Sequence, residues 1–79
     1  MAVRIILPEG ETVFTYATSA VSSRGFVGVF TWNAETNSLD EIATFRMDTL
    51  VRVEVSKDGA VVETIQGHAP TRSQTHPGS

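Results

Sequence analysis

The chain has 79 residues, no cysteine and a formal net charge of −3, from six basic and nine acidic side chains. This length allows one domain, and the absence of cysteine excludes disulfides and thiolate metal sites. The basic residues are scattered along an acidic chain, which disfavours binding to a nucleic-acid backbone. A chain this short buries only roughly 60% of its unfolded surface, so we expect it to be supported by self-association or by a protein partner.

The sequence contains no apolar run long enough to cross a membrane. Its apolar start, at residues 3–7, is also too short for the hydrophobic region of a secretory signal. We therefore expect no membrane association, and a location in the cytoplasm, or in a virion if the protein is phage-encoded.

The N-terminal part has the pattern of a β-hairpin. Residues 2–7 and 12–18 are rich in β-branched and aromatic side chains, and Pro8-Glu9-Gly10 between them is typical of a tight turn. We predict two antiparallel strands here. Residues 19–24, which read SAVSSR, are then interpreted as a polar connection to the third strand.

The third predicted strand, residues 25–33, reads GFVGVFTWN and is apolar on both of its faces. Side chains alternate along a strand, so Phe26, Phe30 and Trp32 point one way while Val27 and Val29 point the other. One of these faces therefore lies under the cover of a closed barrel or meets another chain. We assign Phe26 and Phe30 to the core, and Val27, Val29 and Trp32 to the contact surface.

The middle of the chain gives the weakest pattern. Residues 33–38 (NAETNS) should reverse the chain, and residues 39–45 read as a fourth strand. Leu39, Ile42 and Ala43 would share one face of a helix, so a helical turn remains an alternative for this segment. Residues 46–49 are interpreted as a bend or a single helical turn.

The last two predicted strands, residues 50–56 and 60–66, form a second hairpin. Asp58-Gly59 between two alternating segments is a strong hairpin signal, and Val51, Val53 and Val55 should point inward. Six strands with short connections predict an all-β domain over residues 1–66. The expected architecture is a small six-stranded antiparallel barrel or SH3-like roll.

Residues 67–79 read GHAPTRSQTHPGS and contain no large apolar side chain, which is typical of a flexible tail. We assign His68, Pro70 and Arg72 to the protein interface together with the strand residues. His68 and His76 are two histidines on a segment rich in Pro and Gly, which gives little support for a metal site. We expect neither a metal nor another cofactor.

No set of residues points to an enzyme or to a small-molecule substrate. Asp40 and Glu41 are neighbours on a predicted strand, so they point to opposite faces rather than acting together. The serines of residues 19–23 have no positioned base. The Ser-Ser-Arg-Gly turn at residues 22–25 can hold an anion through backbone N–H groups and Arg24, but an ordinary polar loop is the preferred interpretation.

Three segments carry a resemblance to a known group of proteins: GFVGVFTWN, IATFRMD and LVRVEVS, within residues 25–56. In this order they resemble small all-β proteins of unknown function from actinobacterial phages and their hosts. The resemblance implies a phage origin and a minor structural or decoration role. It implies no functional residues.

Together these observations predict a non-enzymatic protein-binding module that is a subunit or decoration-type component of an oligomeric assembly. One alternative is a small phage regulator or counter-defence protein that binds a host protein. Another is a nucleic-acid-binding β-barrel, in which the aromatic side chains would stack on bases, although the acidic charge disfavours it.

Overall fold

The computed structural model describes residues 1–69 and consists of β-strands with one short 3-10 helix. The strands are β1 (Ala2–Leu7), β2 (Gly10–Phe14), β3 (Ser19–Ser23), β4 (Phe26–Asn33), β5 (Ser38–Arg46), β6 (Arg52–Lys57) and β7 (Ala60–Gln66). The 3-10 helix, Met47–Thr49, lies between β5 and β6. Within residues 1–69, no helix has the length and apolar character that crossing a membrane requires.

The strands form two antiparallel sheets. The first sheet has the order β2-β1-β6-β7 and the second has the order β3-β4-β5. The predicted all-β class is therefore confirmed. The predicted six-stranded barrel is not what residues 1–69 form, because they contain seven strands in two open sheets that share no hydrogen-bonded ladder.

One hydrophobic core joins the two sheets. The first sheet contributes alternate residues of β1 and β6, and the second contributes Val27 and Val29 of β4 with Ala20 of β3. Three further residues come from outside the strands and cover the core at its ends: Ala17, Met47 and Leu50. The fully buried side chains are mostly Val and Ile, which suit the half-buried surface of a pleated sheet.

Two of the hairpins use the same kind of turn. Asp58 and Gly59 have φ values of 55° and 82°, so the turn predicted from Asp-Gly is confirmed. Arg24 and Gly25 have φ values of 54° and 81° and join β3 to β4 in the same way. Positive φ at both central residues matches the right-handed twist of the flanking strands. The interpretation of residues 19–24 as a polar connection is therefore wrong, since Ser19–Ser23 is a strand.

The segment left open between strand and helix is a strand, β5, and the predicted helical turn after it is the 3-10 helix Met47–Thr49. β5 pairs with β4 along its whole length but contains a bulge. Val29 is opposite Ala43 and Phe30 is opposite Glu41, which leaves Ile42 as an extra residue. An extra residue shifts the alternation of the strand, so Leu39 lies opposite Trp32.

β4 turns its valines towards the core and its aromatic side chains outwards, which differs from the sequence assignment at every one of these residues except Trp32. Val27 and Val29 are fully buried in the core, whereas Phe26 and Trp32 are about half exposed and Phe30 is partly buried. Placing Val27 and Val29 on a contact surface, and Phe26 in the core, was therefore wrong. Cross-strand neighbours explain the difference in part: Val29 lies between Ala20 and Ala43, whereas Phe26 lies between Ser23 and Arg46.

The chain after β7 remains attached to the domain as far as the structure describes it. Gly67 N–H donates to the Val51 carbonyl at 2.9 Å, and His68 N–H donates to the Met47 carbonyl at 2.8 Å. Ala69 N–H donates to the Leu50 carbonyl, also at 2.8 Å. The folded unit thus extends to residue 69 rather than ending at residue 66, and the remainder of the predicted tail lies outside the described residues.

Candidate protein-binding site

Large apolar side chains occupy the outward face of the second sheet. Four of them are between 48% and 52% exposed, and the fifth, Phe30, is partly buried. We call this set the outer patch: Val21, Phe26, Phe30, Trp32 and Leu39. It extends over all three strands, with β4 at its centre.

The register of the sheet brings these residues together. Trp32 lies directly opposite Leu39, and Val21 lies opposite Gly28 on the other side of β4. Cβ atoms of directly opposed residues are about 4.5–5.5 Å apart, so Trp32 and Leu39 form one apolar contact. The bulge in β5 is essential for this arrangement, since regular alternation would turn Leu39 towards the same side as Ala43.

Gly28 allows the centre of the patch to be flat. A Cβ atom at Gly28 would lie 2.9 Å from Cε1 of Phe30 and 2.7 Å from Oε2 of Glu41. The Phe30 ring therefore lies back over the glycine instead of standing out from the sheet. Glu41 also folds over this position, and Thr44 donates a hydrogen bond to its carboxylate at 2.8 Å.

The outward face of the first sheet is different in character. Arg4 lies 3.5 Å from Glu11 and 3.8 Å from Glu54, and Arg52 donates to Glu54 at 2.8 Å. These ion pairs link β2, β1 and β6 across the sheet. Removing water from such a network on binding is costly. The outward face of the first sheet thus carries ion pairs beside two exposed valines, Val13 and Val61, whereas that of the second sheet exposes a continuous aromatic and aliphatic group.

One end of the outer patch is basic. There, Arg24, Phe26, Arg46, Asp48 and His68 line an open cavity of about 350 Å³. Arg46 is already paired with Asp48, with 2.7 Å between Nη2 and Oδ2. Arg24 forms no ion pair with any other residue of the described chain. The cavity therefore has room for a further carboxylate beside an unpaired guanidinium.

The opposite end of the patch is acidic. The turn from β4 to β5 is held by Asn33, whose Oδ1 accepts from the N–H groups of Glu35 at 2.9 Å and Thr36 at 3.3 Å. Asn33 also donates to Asp40 at 2.8 Å. These bonds fix the turn and leave the carboxylate of Glu35 in water, without an ion pair among residues 1–69.

The interface residues predicted from sequence have three different outcomes. Trp32 lies on the outer patch, and His68 lies beside the cavity that Phe26 joins to the patch. Val27 and Val29 belong to the core. Pro70 and Arg72 are outside the described residues.

Of the outer patch, only Trp32 was predicted from the sequence: Phe26 and Phe30 were assigned to the core, and Val21 and Leu39 were not recognised as surface residues. Val21 was missed because β3 was interpreted as a loop. The available signal was the Arg-Gly turn, which ends a strand at Ser23 and places Val21 two residues earlier on that strand. Leu39 was hidden by the bulge, for which the sequence carries no signal that we recognise.

Residues 1–69 contain no group of three or more histidine, aspartate or glutamate side chains that could hold a metal ion. Comparison with known proteins adds no relative: no family model, curated protein or solved structure matches this chain. What can be said of function therefore comes from the chain itself.

Proposed function

We propose that this protein is a non-enzymatic protein-binding module that forms a homo-oligomer through the outer patch. The observation that carries the proposal is the contrast between the two sheets. One outward face is crossed by ion pairs, whereas the other exposes aromatic and aliphatic side chains in a continuous group. The largest contiguous apolar patch on a small protein is often a functional surface.

The size of the patch limits the area that the contact can bury. An eight-residue strand is about 26 Å long, and three neighbouring strands span about 10–15 Å, so the face measures roughly 300 Å². A standard interface buries about 800 Å² on each partner. We therefore expect reversible association in the micromolar range, with further contacts contributed by the ends of the sheet.

A role in a larger assembly follows from the same surface. A small reversible contact becomes strong when many copies are held side by side, as in a shell or a lattice. The resemblance of residues 25–56 to small phage-associated proteins supports a decoration-type or minor structural component of a phage assembly. On this proposal the protein acts in the host cytoplasm or in the virion.

The decisive experiment is to measure the mass of the chain by light scattering from micromolar to millimolar concentration. Wild type should move from monomer towards a larger species over this range. Trp32→Ala should shift the transition at least tenfold towards higher concentration, because Trp is a typical anchor residue at interfaces. Trp32 is the better probe than Phe30, whose ring also packs over Gly28.

A matched pair of valines controls for loss of apolar surface in general. Val21 on the patch is 52% exposed and Val62 on β7 is 59% exposed. Val21→Ser should weaken association, whereas Val62→Ser should leave it unchanged. A wild-type chain that remains monomeric at millimolar concentration would overturn the proposal, as would equal effects of the two valine variants.

A further inference from the structure

We propose that the outer patch binds a second copy of this chain with the strands of the two copies antiparallel, so that Arg24 of each protomer pairs with the partner's Glu35. The inference rests on the proposed function and adds to it the identity, orientation and charged contacts of the partner.

The charges at the two ends of the second sheet are opposite. The end at the β3–β4 turn contains Arg24 and the Arg46–Asp48 pair, with His68 beside them. The end at the β4–β5 turn contains Glu35 and Asp40, and Glu41 follows nearby on β5. The first end is net positive and the second is strongly negative. A surface with this asymmetry is complementary to its own reversed copy.

This reversal is produced by a two-fold axis that lies between the outer patches of the two copies and runs perpendicular to their strands. With the axis near Val29, Phe26 of one protomer lies over the partner's Trp32. Arg24 precedes Phe26 by two residues, and the β4–β5 turn begins two residues after Trp32. The basic turn of each copy thus reaches the acidic turn of the other. A single two-fold contact creates both Arg24 pairs at once.

The cavity at the basic end provides the place for the partner's carboxylate. Arg24 and Phe26 both line it, so it continues directly from the apolar patch. The partner's Glu35 would enter from the adjoining turn and meet a guanidinium that has no ion pair among residues 1–69. Glu41 and Arg46 are the charged side chains on the face itself, and both lie on the edge strand β5. The Glu41 carboxylate, which folds over Gly28 in the single chain, must turn outwards to this edge when a second copy binds.

The other two-fold arrangement, with parallel strands, is disfavoured by the same charges. It places the acidic turn of one copy over the acidic turn of the other, and Arg24 over the partner's Arg24. Like charges brought together at an interface suppress association. The apolar patch therefore drives the contact, and the charges at its ends select the orientation.

Charge reversal in separate chains tests the proposal. Arg24→Glu and Glu35→Arg should each weaken self-association roughly tenfold or more at low salt, because two attractive pairs become two repulsive ones. Mixing the two variant chains should restore association, since the heterodimer again contains two opposite-charge pairs. The mixture excludes misfolding as the cause of the loss in either variant alone.

Two controls separate the charge of Arg24 from its place in a turn. Arg24→Asn removes the cation while Asn favours positive φ, so it should weaken association less than Arg24→Glu and leave the hairpin intact. Lys57→Glu reverses an exposed basic residue beside the turn of the other sheet and should change nothing.

The outcomes distinguish this inference from the proposed function. If wild type associates through Trp32 but neither charge reversal changes the affinity, the antiparallel arrangement is wrong while the patch remains the interface. If the mixture of variants associates no better than each variant alone, the Arg24–Glu35 contact is likewise wrong. If wild type remains monomeric at millimolar concentration, both the antiparallel arrangement and the proposed function are wrong.

Discussion

Gly67 shows how closely the chain approaches itself after the last strand. A Cβ atom at this position would overlap the carbonyl group of Leu50, and Leu50 Cβ would be only 2.8 Å away. Backbone atoms held by hydrogen bonds on both sides cannot move aside, since Gly67 and Ala69 donate to Val51 and Leu50. A residue that the sequence places at the start of a tail is thus a packing position.

We predict that Gly67→Ala lowers the free energy of unfolding by about 1–3 kcal/mol, the usual cost of overpacking a well-ordered site. Gly28→Ala is the matched comparison, since its new Cβ would also come within 3 Å of other atoms. Those atoms are the ends of the Phe30 and Glu41 side chains, which can rotate, so its cost should be smaller. Urea unfolding of both variants measures the difference. Equal free energies of unfolding for the two variants would contradict this prediction, because they would show that the Leu50 carbonyl can move away from the new Cβ atom.

Predictions of burial for single residues were correct where alternation along one strand decides it, and wrong where the neighbouring strands decide it. The inward positions of Val53 and Val55 follow from alternation alone, and both are buried. The buried face of β4 does not follow from alternation, because both of its faces are apolar. Which face is buried depends on the strands that lie beside β4. Because β3 was interpreted as a loop, Ala20 was not recognised as the residue opposite Val29, on the face that packs in the core.

At the scale of elements, the turns with two special residues were the most predictable. The hairpins predicted at Pro8 to Gly10 and at Asp58-Gly59 are both present, because their backbone requirements are local. The second strand, however, is Gly10–Phe14 rather than residues 12–18. The Arg24-Gly25 turn has the same φ pattern but lacks the usual Asn or Asp in first position. The serine-rich strand before it is an exposed edge strand, so its composition resembles that of a loop.

The segment from Gly67 to Ala69 should contribute to the stability of the domain through its backbone hydrogen bonds. Each of its three N–H groups donates to the chain around the 3-10 helix, between Met47 and Val51. A chain that ends at residue 69 retains all three bonds, whereas one that ends at residue 66 loses them. We expect the shorter chain to be less stable by about 2–3 kcal/mol, at roughly 1 kcal/mol for each bond. Thermal unfolding of the two chains measures this loss.

The chain ending at residue 69 also tests the interface assignment of Pro70 and Arg72. If these residues take part in assembly, this chain should fold as well as the full-length protein but associate more weakly by light scattering. Equal association of the two chains would remove Pro70 and Arg72 from the interface and leave the outer patch as its whole apolar part.

For the whole molecule, the chain length led us to expect a partner but did not indicate where it would bind. The length predicts a small core, and the ten buried hydrophobic residues of the described chain agree with that expectation. The location of the proposed binding surface depends on the division into two sheets, on the β5 bulge and on the cross-strand ion pairs. These are long-range consequences of register, and no local sequence pattern specifies them.

Coupling between folding and association gives the last prediction. If association through the outer patch stabilises the fold, the midpoint of thermal unfolding should rise with protein concentration, because mass action favours the species that binds only when folded. Trp32→Ala should remove this dependence while leaving the midpoint at low concentration nearly unchanged, since Trp32 is half exposed in the single chain. Calorimetry across a hundredfold range of concentration distinguishes the cases. A wild-type midpoint independent of concentration would mean that the patch contributes nothing to stability, and the small core would then have to hold the domain by itself.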